Sequence, residues 1–306
     1  MSVEIIIVAI IGILAGGVVN ALADDLPLRR SPRLPRYVPL RKKFAIHSSD
    51  EEVRATTQND DEPRPIIAWL GITAFIFGKR TSPKGVKLGW RYPLTEIFTA
   101  GLMILTLEAT LNNPDMTIFG PLQLVFWLTY MAIMALITVV DIEHKLILFV
   151  VIIPSSVIAL VDAVLTTIFD GNIDVGMRVP GIGESLAGGL LGFAIFFLMY
   201  NGGYLFTYVL GRLRGEKITE IAFGYGDVML AMLSGFILGW RALIFAMFVT
   251  VFAGAFGAIL YLVTRRLVGQ KYSAFTALPY GPYIVFGTVA ILLYREPIID
   301  FLLNAS

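Results

Sequence analysis

Leu122-Gln123-Leu124-Val125-Phe126-Trp127-Leu128-Thr129-Tyr130-Met131-Ala132-Ile133-Met134-Ala135-Leu136-Ile137-Thr138-Val139-Val140-Asp141-Ile142-Glu143-His144-Lys145 sets the architecture of this chain. From Leu122 to Val140 it carries no charge, and its length matches the roughly 20 apolar residues that an α-helix needs to cross hydrocarbon. It then stops on Asp141, with Glu143, His144 and Lys145 behind it. An ionisable side chain so close to hydrocarbon is costly and marks a candidate functional site. The rest of the 306-residue sequence repeats the first half of the pattern: 57% of residues are hydrophobic, 15% are charged and the mean hydropathy is +0.77. Soluble domains carry about 25% charged residues, so the sequence describes a polytopic, all-α membrane protein.

Eight spanning helices are expected: Val3 to Ala23, Leu94 to Leu111, Leu122 to Val140, Leu146 to Phe169, Ser185 to Leu210, Val228 to Trp240, Ala242 to Thr264 and Ala277 to Tyr294. The sixth is short; either residues around Gly224 complete it or local thinning of the bilayer accommodates it. The first begins with Ser2, Val3 and Glu4 and not with a basic stretch, so it reads as a retained helix and not as a cleaved signal. Arg29, Arg30, Arg33, Arg36, Arg41, Lys42 and Lys43 follow it, which by the positive-inside rule places this loop in the cytoplasm and the N-terminus outside. Threading the helices from there leaves only Arg178, Arg241 and Arg295 of the 24 lysines and arginines outside. Two parts are expected: residues 1–93, the first helix with a cytoplasmic segment, and residues 94–306, a membrane domain of seven helices.

Within the cytoplasmic segment, Ser48 to Pro65 is polar and acidic and reads as mobile and dispensable. Ile66 to Phe77 is apolar but too short to span. With Trp69 on one side and Lys79 and Arg80 behind, it reads as an interfacial helix, a re-entrant segment being the alternative. A net charge of +1 gives no case for a nucleic-acid partner, and the absence of cysteine excludes disulfides, thiol nucleophiles and thiolate metal sites.

The same threading puts Asp141, at the end of the third helix, and Asp227, at the start of the sixth, on one membrane face. Gly224-Tyr225-Gly226 precedes Asp227, and two glycines let a backbone approach another closely, as a site gripping a peptide requires. Two carboxyls a few ångströms apart cannot both ionise and hold one proton between them. Such a pair performs aspartic proteolysis: the ionised member activates water and the protonated member donates to the scissile carbonyl. The bland reading of each acid stays beside this one. Asp141 can be a solvated helix end, Glu96 a helix-start acid, and Glu108 and Asp162 neutral or hydrogen-bonded acids facing the bundle interior. The rival function is an ion- or proton-coupled transporter that uses the intramembrane acids as a path.

Several pieces resemble one family in order along the chain. Gly16-Gly17-Val18-Val19-Asn20 with Leu26-Pro27, Trp69-Leu70, Trp90-Arg91-Tyr92-Pro93-Leu94-Thr95-Glu96, Asp141-Ile142-Glu143-His144-Lys145-Leu146-Ile147, Phe223-Gly224-Tyr225-Gly226-Asp227-Val228-Met229-Leu230 and Leu278-Pro279-Tyr280-Gly281-Pro282-Tyr283 are similar to motifs of the prepilin peptidases. These are the type IV leader peptidases, membrane aspartic proteases of the Gly-x-Gly-Asp kind. The resemblance implies that Asp141 and Asp227 are catalytic. Gly224, Tyr225, Gly226, Glu96, Glu143 and Lys145 are the candidate substrate-binding or supporting residues. It implies cleavage of the leader of type IV prepilins or pseudopilins at the cytoplasmic face of a bacterial inner membrane, with no cofactor for proteolysis. It also implies N-methylation of the new N-terminus with S-adenosylmethionine, and a zinc site of two Cys-x-x-Cys pairs. The sequence departs from that pattern: Thr81 and Lys84 stand where the second pair would be, and no cysteine exists to form the first. No zinc is expected, the cytoplasmic segment must hold its shape by packing and membrane contact, and methylation is left open.

Overall fold

The computed structural model describes residues 3–38, 62–111, 120–169, 179–214, 224–267 and 279–304. In chain order the helices are α1 (Val3–Asp25), α2 (Gly71–Ile76), α3 (Arg91–Leu111), α4 (Gly120–His144), α5 (Phe149–Phe169), α6 (Ile182–Arg214), α7 (Tyr225–Leu267) and α8 (Gly281–Asn304). Two-residue strands β1 (Arg36–Tyr37) and β2 (Glu62–Pro63) pair antiparallel. Among the described residues, α1, α3, α4, α5, α6 and α7 are long and apolar enough to cross a membrane, and Gly281–Arg295 adds a shorter apolar helix. The chain is a polytopic all-α membrane protein.

The expected sixth and seventh spans form one element, α7, broken at Gly239. Its φ of 74° and ψ of 165° are open to glycine and strained for other residues. Ser234 Oγ accepts from Thr288 Oγ1 at 2.7 Å, while Gly287 packs on Ala246 and Thr250. Both arms of α7 thus lie along the same stretch of α8. The charge at Arg241 flags the break in the sequence, whereas Gly239 makes it. The first arm begins at Tyr225, so residues from the glycine turn do lengthen the short span.

Two compact units divide the chain: residues 1–112 with 127–140, and residues 113–126 with 141–306. In the first unit α1 and α3 run antiparallel, since a Cβ on Gly12 would meet Ala100 and one on Gly16 would meet Glu96, each at 2.5 Å. Small residues four apart let helix backbones approach where water gives no hydrophobic drive. In the second unit α6 and the first arm of α7 use the same device, with Gly188, Gly189 and Gly192 against Gly235, Phe236 and Ala231.

The segment between α1 and α3 holds together without thiols. Tyr37, Ala68, Ala74, Leu88 and Tyr92 form a buried cluster, with Phe75 and Val86 against it. Arg64 lies over the rings of Tyr92 (4.3 Å to the centroid) and Tyr37 (5.8 Å), and its Nε donates to the Arg36 carbonyl. Asp25 takes Arg36 in a buried ion pair, and Asp24 takes Arg91 at 2.8 Å and the Tyr92 hydroxyl at 2.8 Å. The expectation of a mobile stretch from Ser48 to Pro65 needs correction at its end: Glu62 and Pro63 pair with β1, and Arg64 is buried. The remainder of that stretch lies outside the described residues, as do His47, Phe223 and Leu278.

Candidate active site

Asp141 sits in the last turn of α4, with its side chain buried. The helix stops there because Lys145 turns left-handed (φ 52°) and its N–H donates to the Asp141 carbonyl at 2.8 Å. An acid at a helix C-terminus faces partial negative charge, so this carboxylate needs a donor from elsewhere. It finds one at the start of α8: the Gly281 N–H donates to Asp141 Oδ2 at 3.0 Å. A Cβ on Gly281 would lie 2.6 Å from that oxygen, so only glycine fits there.

Asp227 is the third residue of α7 and is also buried. Its Oδ2 accepts the Gly224 N–H at 2.9 Å, while its own N–H donates to the Gly224 carbonyl at 3.1 Å. This is half of a capping box, in which a third-position acid reaches back to the cap residue. Asp141 and Asp227 belong to the same unit and lie close enough for the charge of Asp227 to act on Asp141. No lysine or arginine forms an ion pair with either, among the described residues. Lys145, four residues on, draws on Asp141 only through space, and two buried carboxyls without an ion pair are suited to share one proton.

The other expected residues divide. Gly226 packs on the loop between α4 and α5: its Cβ position is 2.7 Å from Ile147 Cβ. Gly224 borders open space, with Asp227 Oδ2 the nearest atom at 3.5 Å, and neither glycine has a positive φ. Neither glycine is thus needed for a left-handed turn; Gly226, inside α7, serves close packing, and Gly224, just before the helix, supplies an N–H. Tyr225 is exposed, its ring 5.9 Å from that of Phe149 and 6.0 Å from that of Tyr200. Glu143 lies 3.9 Å from His144 Nε2, and the Lys145 side chain is exposed.

Glu96 belongs to the first unit, where it is fully buried. Its carboxylate accepts the N–H groups of Gly71 and, at 2.8 Å, Ile72, and the Asn20 amide at 3.4 Å. It caps the start of α2. Asp162 is buried and accepts from Gln123 Nε2 at 3.2 Å, as the bland reading expects, whereas Glu108 is exposed on α3 and not turned to an interior. Among the described residues no three His, Asp or Glu side chains gather to hold a metal ion. With no cysteine in the chain, a tetrathiolate site does not fit it.

Two residues next to the pair escaped the residue-by-residue reading. Gly281 is one, and the Gly-Pro step at a helix start was the available signal. Tyr280 is the other: it is close enough for the Asp227 charge to act on its phenol.

The model of the type IV leader peptidase family matches residues 128–259. The chain is 27% identical over 239 residues, 78% of its length and 80% of the relative's, to a Bacillus subtilis (strain 168) protein named prepilin leader peptidase/N-methyltransferase. No solved structure gives a significant match. The peptidase read from the sequence thus stands, and the part of this membrane protein that is similar to the type IV leader peptidase family, residues 128–259, contains both aspartates.

Proposed function

We propose that the protein is an aspartic endopeptidase that removes the leader of type IV prepilins or pseudopilins, with Asp141 and Asp227 as its catalytic pair. One observation carries this reading: two buried carboxyls in one unit, each held by a glycine N–H and neither in an ion pair among the described residues. In the reaction the ionised carboxylate takes a proton from water as the oxygen attacks the scissile carbonyl. The protonated carboxyl donates to the carbonyl oxygen, and the tetrahedral intermediate forms without a covalent enzyme link. On collapse the departing amine takes a proton back from the pair, and the C–N bond breaks. The Gly281 and Gly224 N–H groups orient the two carboxyls so that each presents its other oxygen to substrate.

Cleavage at the cytoplasmic face of a bacterial inner membrane fits the charge asymmetry of the loops and is part of the proposal. So is methylation of the product's new N-terminus with S-adenosylmethionine, on the strength of the name carried by the similar B. subtilis protein. The test is co-expression with a type IV prepilin bearing a Gly-Phe junction, read by gel shift and by the mass of the product's N-terminus. Cleavage by wild type but not by Asp141→Asn or Asp227→Asn supports the pair, and one added methyl supports the second activity. Cleavage retained by either variant removes that residue from the chemistry.

A further inference from the structure

Large apolar side chains lie bare on the segment between α1 and α3, outside the spanning helices. Ile66 is 78% exposed, Ile76 71% and Trp90 62%, with Ile67 and Phe77 also exposed. They come from the 3-10 turn Ile66–Ala68, from the last residue of α2 and the one after it, and from the residue before α3. A soluble surface rarely gathers so many.

The hydrogen bonds of this unit fix the height at which the patch sits. Glu96, which receives the first N–H groups of α2, is five residues into α3, about 7.5 Å along its axis at 1.5 Å per residue. On the other side, Leu70 fills the space beside Gly17, eight residues before the end of α1, or about 12 Å along that helix. A Cβ on Gly71 would strike Tyr92 and Pro93. The start of α2 is therefore pinned alongside the terminal turns of two spanning helices and not beyond their ends. The bare face of Trp90 continues directly into the exposed Leu94, Ile97 and Phe98 of α3.

Polar groups mark the other edge. Lys79, Lys84 and Lys87 are exposed just beyond α2, and the Arg80 guanidinium lies 4.8 Å from the Phe75 centroid and 5.7 Å from that of Trp90. An apolar face backed by cations, at a depth of several ångströms, is the profile of an element lying in a membrane interface. Trp and Tyr favour that depth because one end is apolar and the other can meet water. Trp69 fits this pattern, its indole N–H donating to the Arg64 carbonyl at 3.2 Å.

We infer that Ile66–Phe77 and Trp90 form a phospholipid-binding surface, inserted into the leaflet where α1 ends and α3 begins, with Lys79, Lys84 and Lys87 at the headgroup phosphates. The occupant is lipid and not protein because the surface is continuous with the lipid-facing side of α3 and is held at its level by Glu96. A water-facing patch would leave six large apolar side chains hydrated, and lipid covers all of them at once. The inference concerns the first unit alone and is independent of the proposed peptide cleavage.

The chain contains no cysteine, so single reporters can be placed without background. The experiment attaches a nitroxide to Ile66→Cys, Ile76→Cys or Phe77→Cys in the full chain, reconstituted in phosphatidylcholine–phosphatidylglycerol nanodiscs. Ile97→Cys serves as the lipid-facing reference and Lys84→Cys as the aqueous one. Oxygen, which partitions into lipid, is expected to relax the three test labels several-fold more than a water-soluble nickel chelate, as at Ile97→Cys, with the order reversed at Lys84→Cys. Greater relaxation by nickel at the test positions overturns the inference, and so does protection from both agents, which means a protein covers the patch. A second measurement guards against misfolding of the labelled variants. In the Trp127→Phe, Trp240→Phe double variant, fluorescence from Trp69 and Trp90 should be quenched by lipids brominated near the headgroup more than by iodide. The opposite order overturns the inference.

Discussion

Two pairs of aspartates occupy helix ends in this protein, and their surroundings differ. Asp24 and Asp25 close α1, where each is matched by an arginine, Arg91 and Arg36. Asp141 and Asp227 stand at the end of α4 and the start of α7, where each receives one glycine N–H and no ion pair. Residue type and burial are alike, since Asp25, Asp141 and Asp227 are all buried. The difference lies in compensation. A buried carboxyl bonded to a guanidinium is tied into an ion pair and becomes part of the scaffold. Two buried carboxyls without an ion pair, one acting on the other, gain by holding a proton between them, which is the state that the proposed peptide hydrolysis needs. What surrounds an acid, and not its sequence motif alone, separates staple from reagent.

The comparison breaks most visibly by exchanging carboxyl for amide. Asp141→Asn and Asp227→Asn are each expected to lower cleavage by at least about 10²–10⁴-fold, the range of general acid–base catalysis, while thermal unfolding stays near wild type. Unfolding of either variant would mean that this pair is a staple too. The counterpart, Asp25→Asn, leaves Arg36 buried without its partner. A loss of about 3–5 kcal/mol in stability is expected, with cleavage by the remaining folded protein unchanged.

The glycine donors sharpen the contrast within the proposed active pair. Gly281→Ala puts a methyl against Asp141 Oδ2 and should cost roughly tenfold in kcat, the worth of one hydrogen bond to a charged group at about 1.5 kcal/mol. Gly224→Ala keeps its N–H, has room for the methyl and should change kcat by less than about twofold, below 0.4 kcal/mol on the same scale. Equal losses from both would show that the clash with Asp141 Oδ2 is not what makes Gly281 necessary.

The smallest effect belongs to the first region at alkaline pH. Burial raises the Tyr37 phenol above its ordinary value, against the opposing pull of Arg64. The unfolded chain therefore loses this proton first, and stability must fall as pH rises past about 10 towards the folded value. Removing the cation by Arg64→Leu should steepen that fall. An unchanged slope would mean that Arg64 acts only through packing.

Much of this was legible in the sequence, for physical reasons. Spanning helices are long apolar runs, and the two aspartates were conspicuous because acids at the ends of such runs are costly. The short sixth span and the charge at Arg241 marked the break in α7, although its cause, a positive φ at Gly239, lies in the backbone. Roles that depend on a distant partner were not legible. Nothing near Glu96 says that its carboxylate caps α2, a stretch 25 residues earlier. Gly281 is 140 residues from Asp141, so its N–H could not be assigned to that acid without the fold. The glycines before Asp227 looked alike in sequence, yet only Gly226 is demanded by a neighbour, Ile147.

The arginine stacked on Tyr37 and Tyr92 has a consequence for where the protein can work. Guanidinium and phenol rings neither chelate nor oxidise under conditions that strip metal from thiolates. With Arg64, Arg36 and Arg91 as its ties and no thiolate in the chain, the described part of this segment is expected to emerge from chelator treatment still folded.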